Sequence, residues 1–338
     1  MKTLYKRRKR MKIGIIGSGS WGTAISKVLL NNGHEVLIWT REENVFNALK
    51  NGENPYYLPG ISIPKNIKPS MDLKEVIENS EIIVMAVPTQ AVREVANNFK
   101  SYYNGQIIVN LAKGLEIKTQ ERISEILKDI LTDLKYVVLS GPSHAEEVAR
   151  DVPTSVVAAS ENLEYAEKVQ EIFSNASFRV YSQTDVIGVE LGGSIKNVIA
   201  IAAGVIDGIG GWDNAKAALI TRGLTEIIRY GEKKGAKKET FMGLAGLGDL
   251  IVTCNSQHSR NRYVGEMIGR GKKLNEIIEN MNMVAEGVYT CKALYEEIKE
   301  LQIEMPIVEK TYEVLYLNKN PQKAIHELMR RELKREEF

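Results

Sequence analysis

The stretch Met11-Lys-Ile-Gly-Ile-Ile-Gly-Ser-Gly-Ser-Trp-Gly-Thr-Ala24 constrains the fold more than any other. Met11–Ile16 is an apolar run bounded by glycines, the pattern of a parallel strand covered on both faces. Gly17, Gly19 and Gly22 follow at G-x-G-x-x-G spacing, and Thr23–Asn32 then carries apolar residues at helical intervals. Strand, glycine turn and helix therefore come in the order that a dinucleotide cradle needs. The first glycine permits the tight turn, the second lets backbone approach a pyrophosphate, and the third lets helix and strand pack closely. The N–H groups of the helix start, with their partial positive charge, then face the phosphates.

The remainder of the first half repeats the theme. His34–Thr40, Glu81–Val87, Gln106–Asn110, Tyr136–Ser140, Thr154–Ala159 and Phe178–Tyr181 are apolar runs that predict strands. Leu73–Asn79, Gln90–Tyr102, Thr119–Leu131 and Leu163–Phe173 between them predict helices. Such alternation predicts a parallel, doubly wound sheet with ligands gathered at the carboxyl ends of the strands. Lys113 and the run Gly141-Pro-Ser-His-Ala145 each follow a strand end directly. The second strand ends in Thr40-Arg41 with Glu42 behind, so a guanidinium suited to a ribose 2′-phosphate stands where NAD-specific folds place an acid. NADPH is therefore expected to be accepted beside NADH. Asn54–Gly60, with Pro64 and Pro69 beyond, predicts an irregular loop at the cofactor edge.

Strand signals cease near Asp185. The expected division is a basic arm at 1–10, a nucleotide domain at 11–185 and a helical domain at 186–338, consistent with two domains for 338 residues. The arm carries six basic residues against a net charge of +2 for the whole chain, so the rest is net acidic. It is expected to be a solvated, disordered tail rather than a nucleic-acid or membrane contact. No run of 18 or more apolar residues predicts a membrane span. Cys254 and Cys291, with no C-x-x-C, suggest neither a disulfide scaffold nor a zinc site, and four scattered histidines suggest no metal. A reducing cytoplasm fits that cysteine usage.

Gly188–Ala203 is apolar or small nearly all round, which predicts a buried helix whose glycines permit close backbone packing. Lys196 and Asn197 are costly there unless they face a polar cleft. A buried lysine loses proton affinity and can exchange a proton near neutral pH. Asp249 and Thr253, four apart, share one helical face after a glycine-rich turn; Asp249 either pairs with Lys196 or caps its own helix. Ser256–Arg262 clusters donors, among them Arg260 and Asn261, suited to a phosphate.

Gly17–Gly22, Asn110-Leu-Ala-Lys-Gly114, Ser140-Gly-Pro-Ser-His-Ala145, Glu190-Leu-Gly-Gly-Ser-Ile-Lys-Asn197, Gly246-Leu-Gly-Asp-Leu250 and Ser259-Arg-Asn-Arg262 together resemble bacterial NAD(P)-dependent glycerol-3-phosphate dehydrogenases, in order and spacing, from about Met11 to Tyr316. The resemblance implies a Rossmann domain, α/β and doubly wound, followed by an all-α substrate domain, in a homodimeric cytoplasmic enzyme. It implies reversible reduction of dihydroxyacetone phosphate to sn-glycerol 3-phosphate for glycerophospholipid synthesis. Lys196 would be the proton donor and acceptor, with Lys113, Asp249, Asn197 and Thr253 completing the catalytic group. Gly17, Gly19, Ser20, Trp21, Gly22, Arg41, Tyr57, Lys113, Ala145, Arg260, Val284 and Glu286 would contact NAD(H) or NADP(H). Lys113, Gly141, Ser143, Lys196, Asp249, Ser259, Arg260 and Asn261 would surround the substrate. Two other readings stand beside this one: another Rossmann-plus-helical hydroxyacid dehydrogenase, and a non-catalytic nucleotide sensor.

Overall fold

The computed structural model describes residues 9–281 and 283–336. Residues 1–8, most of the expected basic arm, lie outside the described residues; Lys9 and Arg10 form ion pairs with Glu81 and Glu35. Eight strands form one sheet: β1 (Lys12–Ile16), β2 (Glu35–Trp39), β3 (Lys68–Ser70), β4 (Ile82–Met85), β5 (Ile107–Asn110), β6 (Lys135–Ser140), β7 (Thr154–Ala159) and β8 (Phe178–Gln183). Their spatial order is β3-β2-β1-β4-β5-β6-β7-β8. β1 pairs in parallel with both β2 and β4, setting Ile13 opposite Val36 on one side and Ile82 on the other. Every residue of β4 and β5 is buried. Successive strand side chains point to opposite faces, so both faces of the sheet are covered. The chain runs outward from β1 through β2 to β3 and then crosses back to β4. That reversal beside β1 is where such sheets open a crevice at their carboxyl ends.

β3 is the strand that sequence reading placed in an irregular loop. It is three residues long, contains Pro69 and occupies the sheet edge, where a residue without an N–H costs no interior ladder bond. Two expected helices are shorter than their periodicity suggests. Thr89–Ala91 is a 3₁₀ turn ahead of a Val92–Phe99 helix, and the helix expected over Thr119–Leu131 begins only at Ile123.

Backbone contacts divide the chain into two compact units. One holds the described residues through Ala112, with Ser124–Leu139 and Ser143–Val186; the other holds Lys113–Ile123, Ser140–Pro142 and the described residues from Ile187 on. The linear division expected from sequence does not assign the two short segments 113–123 and 140–142 to the helical unit. The first unit's core joins Ile13, Ile15, Ile38, Val84, Val109 and Phe173. The second unit's core joins Leu115, Ile195, Ile199, Tyr230, Phe241 and Leu250. Among the described residues the second unit contains no strand beyond the end of β6.

Its central element is the 24-residue helix Val186–Ile209. By length and composition that helix is apolar enough to cross a membrane, with a mean hydropathy of 1.5 over an 18-residue window, although no uninterrupted apolar run marks it in the sequence. Of that window 89% is buried within the protein, the environment of a core helix.

Candidate active site

The site of the helical unit is assembled from short backbone approaches. At Gly192 a Cβ would stand 2.5 Å from the Ala245 carbonyl oxygen, and at Gly193 one would stand 2.7 Å from Ser140 Oγ. Gly193 thus leaves room for the Ser140 side chain, and Gly192 admits neighbouring backbone at close range. The neighbour is a π-helical turn, Leu244–Gly248, that runs directly into the helix Asp249–Asn255. Asp249 is therefore delivered beside Lys196, one turn beyond the two glycines.

Lys196 is 5% exposed and Asp249 1% exposed. Lys196 Nζ donates to Asp249 Oδ1 at 2.5 Å and to Thr253 Oγ1 at 2.7 Å. The other carboxylate oxygen, Oδ2, accepts from Lys113 Nζ at 2.8 Å, and Lys113 Nζ also donates to the Gly141 carbonyl at 3.0 Å. One buried carboxylate is thereby held between two ammoniums. Of the two roles open to Asp249, the geometry is that of the lysine pair: the N-cap position belongs to Gly248, and each Asp249 carboxylate oxygen accepts from a lysine ammonium. Thr253 Oγ1 donates to the Asp249 carbonyl at 2.6 Å, the i, i+4 bond expected from their spacing.

Asn197 extends the network. Its Nδ2 donates to the Lys113 carbonyl at 3.2 Å, and its Oδ1 accepts from Asn261 Nδ2 at 3.0 Å. Asn261 Oδ1 in turn accepts from the Gly287 N–H at 2.8 Å. Ser259 caps the helix Arg260–Gly269 by accepting from the Arg262 N–H at 3.2 Å, which puts Arg260 and Asn261 in its first turn. Val284 and Glu286 are half-buried near the start of the helix Glu286–Glu300. Burial lowers the Lys196 ammonium to about 8, Asp249 opposing and Lys113 reinforcing the shift. Burial alone would raise Asp249, but its two lysine partners together hold the carboxyl below its ordinary value. Cys254, on the same short helix, is pushed by burial to about 12 and is an inert thiol.

The nucleotide unit carries the other half of the expected residues. Gly17 has φ +113°, and a Cβ there would lie 2.7 Å from the Ala86 carbonyl oxygen on the far side of the switch. At Gly22 a Cβ would overlap the Gly17 carbonyl oxygen, whereas at Gly19 nothing stands within 4 Å. The three glycines thus divide as turn, open face and close packing, the arrangement a pyrophosphate requires. Ser20, Trp21 and Gly22 form the first turn of the helix Ser20–Asn31. The indole Nε1 of Trp21 is buried without a hydrogen-bond partner. These features fit a dinucleotide on the turn. Arg41 is exposed just past β2, and beside it the Tyr57 hydroxyl donates to Glu42 Oε1 at 2.7 Å. Burial, helped by Glu42, pushes Tyr57 to about 12, so the phenol keeps its proton. Ser143 and Ala145 follow β6, Ala145 opening the short helix Ala145–Val148.

Two residues escaped sequence reading. Arg122 Nη1 donates to Glu190 Oε2 at 2.7 Å, a buried pair that ties the Lys113 segment to the central helix. Asn54, fully buried, reaches the glycine turn. Neither has a local signal, because the partners lie 68 and 36 residues away.

Comparison with known proteins identifies the family of the chain. The family described as NAD-dependent glycerol-3-phosphate dehydrogenase N-terminus matches residues 12–166, and the corresponding C-terminus matches residues 185–326. A glycerol-3-phosphate dehydrogenase [NAD(P)+] of Chlorobium phaeobacteroides is 50% identical over 333 residues, covering 97% of this chain and 100% of that one. A crystal structure of glycerol-3-phosphate dehydrogenase from Coxiella burnetii superposes with a TM-score of 0.92 at 38% identity, covering 95% of this chain and 99% of that one. A ketopantoate reductase structure from Ralstonia eutropha, at 13% identity and TM-score 0.61 over 93% of this chain and 99% of that one, shares the fold alone.

Proposed function

Because the chain belongs to the NAD-dependent glycerol-3-phosphate dehydrogenase family, we propose the following division of labour among its residues. The activity is the reversible, NAD(P)H-dependent reduction of dihydroxyacetone phosphate to glycerol 3-phosphate. The observation that carries the assignment is one buried carboxylate, Asp249, held between two lysines, Lys113 and Lys196.

When bound, a reduced nicotinamide would supply the hydride, with its electron pair, that reduces the C2 carbonyl carbon. As the C2 oxygen gains negative charge, the Lys196 ammonium gives it a proton and becomes the neutral amine. In the reverse direction that amine takes the proton from the C2 hydroxyl. With a group titrating near 8 instead of its ordinary 10.5, both transfers are accessible near neutral pH. Asp249 and Thr253 fix the direction of the ammonium, and Lys113 adds a second positive charge where negative charge develops. Asn197 holds the Lys113 backbone. Ser259, Arg260 and Asn261, at a helix N-terminus, hold the phosphate, with Gly141 and Ser143 completing the substrate contacts. Binding energy from that phosphate positions the carbonyl for attack.

On the cofactor side Gly17, Gly19, Ser20, Trp21 and Gly22 would cradle the pyrophosphate. Arg41 and Tyr57 would meet the adenosine end, and Lys113, Ala145, Arg260, Val284 and Glu286 would make the remaining contacts. Residues 11–185 form the nucleotide domain and 186–338 the helical substrate domain, with 113–123 and 140–142 grouped with the latter. The enzyme would work as a cytoplasmic homodimer, without inserting into a membrane, and feed its product to glycerophospholipid synthesis.

The test is absorbance of the reduced nicotinamide with dihydroxyacetone phosphate. Wild type should oxidise the cofactor rapidly, and Lys196→Ala should lose roughly 10²–10⁴-fold in rate. Full rate in the variant would transfer the proton role elsewhere.

A further inference from the structure

The glycine turn is held from outside its own motif. Asn54 Nδ2 donates to the Ser18 carbonyl and to Thr23 Oγ1, both at 2.9 Å, and Thr23 Oγ1 donates to the same Ser18 carbonyl at 3.1 Å. Ser18 Oγ donates to Thr40 Oγ1 at 2.8 Å, which fastens the turn to the end of β2. All four side chains are buried. The direction of the Asn54 amide is dictated by its partner, because a carbonyl oxygen only accepts. Asn54 Oδ1 is left buried without a hydrogen-bond partner.

The consequence lies in the peptide that joins Ser18 to Gly19. In a planar trans peptide the carbonyl and the following N–H point in opposite directions. With the Ser18 carbonyl drawn toward Asn54 and Thr23, the Gly19 N–H points the other way. Gly19 is also the glycine with open space in place of a side chain, and the first intrahelical bond begins only at the Thr23 N–H. The N–H groups of Ser20, Trp21 and Gly22 precede that bond and lie on the same helix start.

We propose that Asn54 is the positioning residue of the phosphate cradle: by holding the Ser18 carbonyl inward it presents the Gly19 N–H to the dinucleotide pyrophosphate. This rests on the reading of Gly17–Gly22 as that cradle. Asn54 sits at the head of the loop Asn54–Gly60, where the Leu58 N–H donates back to the Asn54 carbonyl at 2.8 Å and ties down the backbone that carries the amide. Its cost in affinity should fall on phosphate binding and not on the chemical step.

The test is calorimetric titration of the full-length protein with ADP, alongside steady-state kinetics. Asn54→Ala should raise the ADP dissociation constant about 10-fold, the scale of one lost charge-linked hydrogen bond, and Asn54→Asp should raise it further by opposing the phosphate charge. The KM for NADPH should rise in step, while kcat at saturating cofactor and the KM for dihydroxyacetone phosphate stay within about twofold. A folded Asn54 variant that binds ADP within twofold of wild type overturns the proposal, as does an equal rise in the KM for dihydroxyacetone phosphate. If the Asn54 variants do not fold, Thr23→Val removes the second donor to Ser18 and one acceptor of the Asn54 amide while leaving the Asn54 bond to the Ser18 carbonyl; an intermediate loss of ADP affinity supports the proposal and wild-type affinity overturns it. Gly19→Val separates the two readings. Its side chain would fill the open face, so undiminished ADP binding there removes the cradle itself, whereas lost binding there with intact binding in Asn54→Ala removes only the role of Asn54.

Discussion

At the scale of single residues, the chemistry follows from what burial does to an ammonium. Burial lowers Lys196 to about 8, so in its proposed role as proton donor it carries the proton below that pH and has lost it above. The kcat for dihydroxyacetone phosphate reduction should therefore fall as pH rises through about 8, while kcat for glycerol 3-phosphate oxidation rises over the same interval. Parallel pH profiles in the two directions would contradict the assignment. Asp249 holds the lysine proton on, so Asp249→Asn should move the midpoint of the reduction profile to lower pH. Steady-state rates of that variant beside wild type, taken from about pH 6 to about pH 10, should place its midpoint roughly one pH unit lower.

At the scale of elements, helices of the second unit touch through backbone and through one remote cap. A Cβ at Gly204 would overlap the Arg262 carbonyl oxygen, and one at Gly265 would overlap the Ile201 carbonyl oxygen. The helices Val186–Ile209 and Arg260–Gly269 thus meet glycine against backbone from both sides. Gly204→Ala and Gly265→Ala should each lower stability by about 1–3 kcal/mol or more, read in denaturant melts, because no flexible side chain can yield. Gly19→Ala is the contrast: its φ of −66° suits any residue and its side is open, so the melt should barely move. The helix Pro306–Tyr316 has no cap from its own N-cap residue; Glu226 accepts from the Ile307 N–H at 2.8 Å and the Val308 N–H at 3.3 Å. Burial pushes that carboxyl from 4.5 to about 8 despite these bonds. Between those values the folded chain binds a proton that the unfolded chain has lost, so this group's contribution to stability declines as pH rises from 4.5 to about 8. Thermal melts of Glu226→Gln should show a flatter pH dependence across that window than wild type.

At the scale of the whole molecule, the helical unit is not a continuous piece of chain. Leu115 is fully buried in its core, and Glu190 finds its guanidinium on Arg122. A fragment beginning at Ile187 should therefore fail to unfold cooperatively. It lacks a buried leucine, whose loss alone costs about 2–5 kcal/mol, and takes the Arg122 guanidinium away from the buried Glu190 carboxylate. A sharp calorimetric transition from that fragment would show that the 113–123 and 140–142 segments are dispensable to the fold.

What the sequence determined by itself is what depends on neighbours along the chain. Strand, turn and helix at Met11–Asn32, the alternation of β and α through Gln183, and the spacing of Asp249 and Thr253 all follow from local periodicity and glycine placement. The motifs also sufficed to name a family, since six of them stand in one order. The three-residue β3 was not legible, because an edge strand containing Pro69 lacks the apolar run that marks interior strands. Tertiary structure alone decided whether Asp249 capped a helix or paired with a lysine, and brought Lys113 to its second oxygen. It also set Asn54 against Ser18, Arg122 against Glu190, and Glu226 under a helix 81 residues away. Those contacts depend on where folding places distant backbone, and a buried polar group records in its own sequence neighbourhood only that it needs a partner.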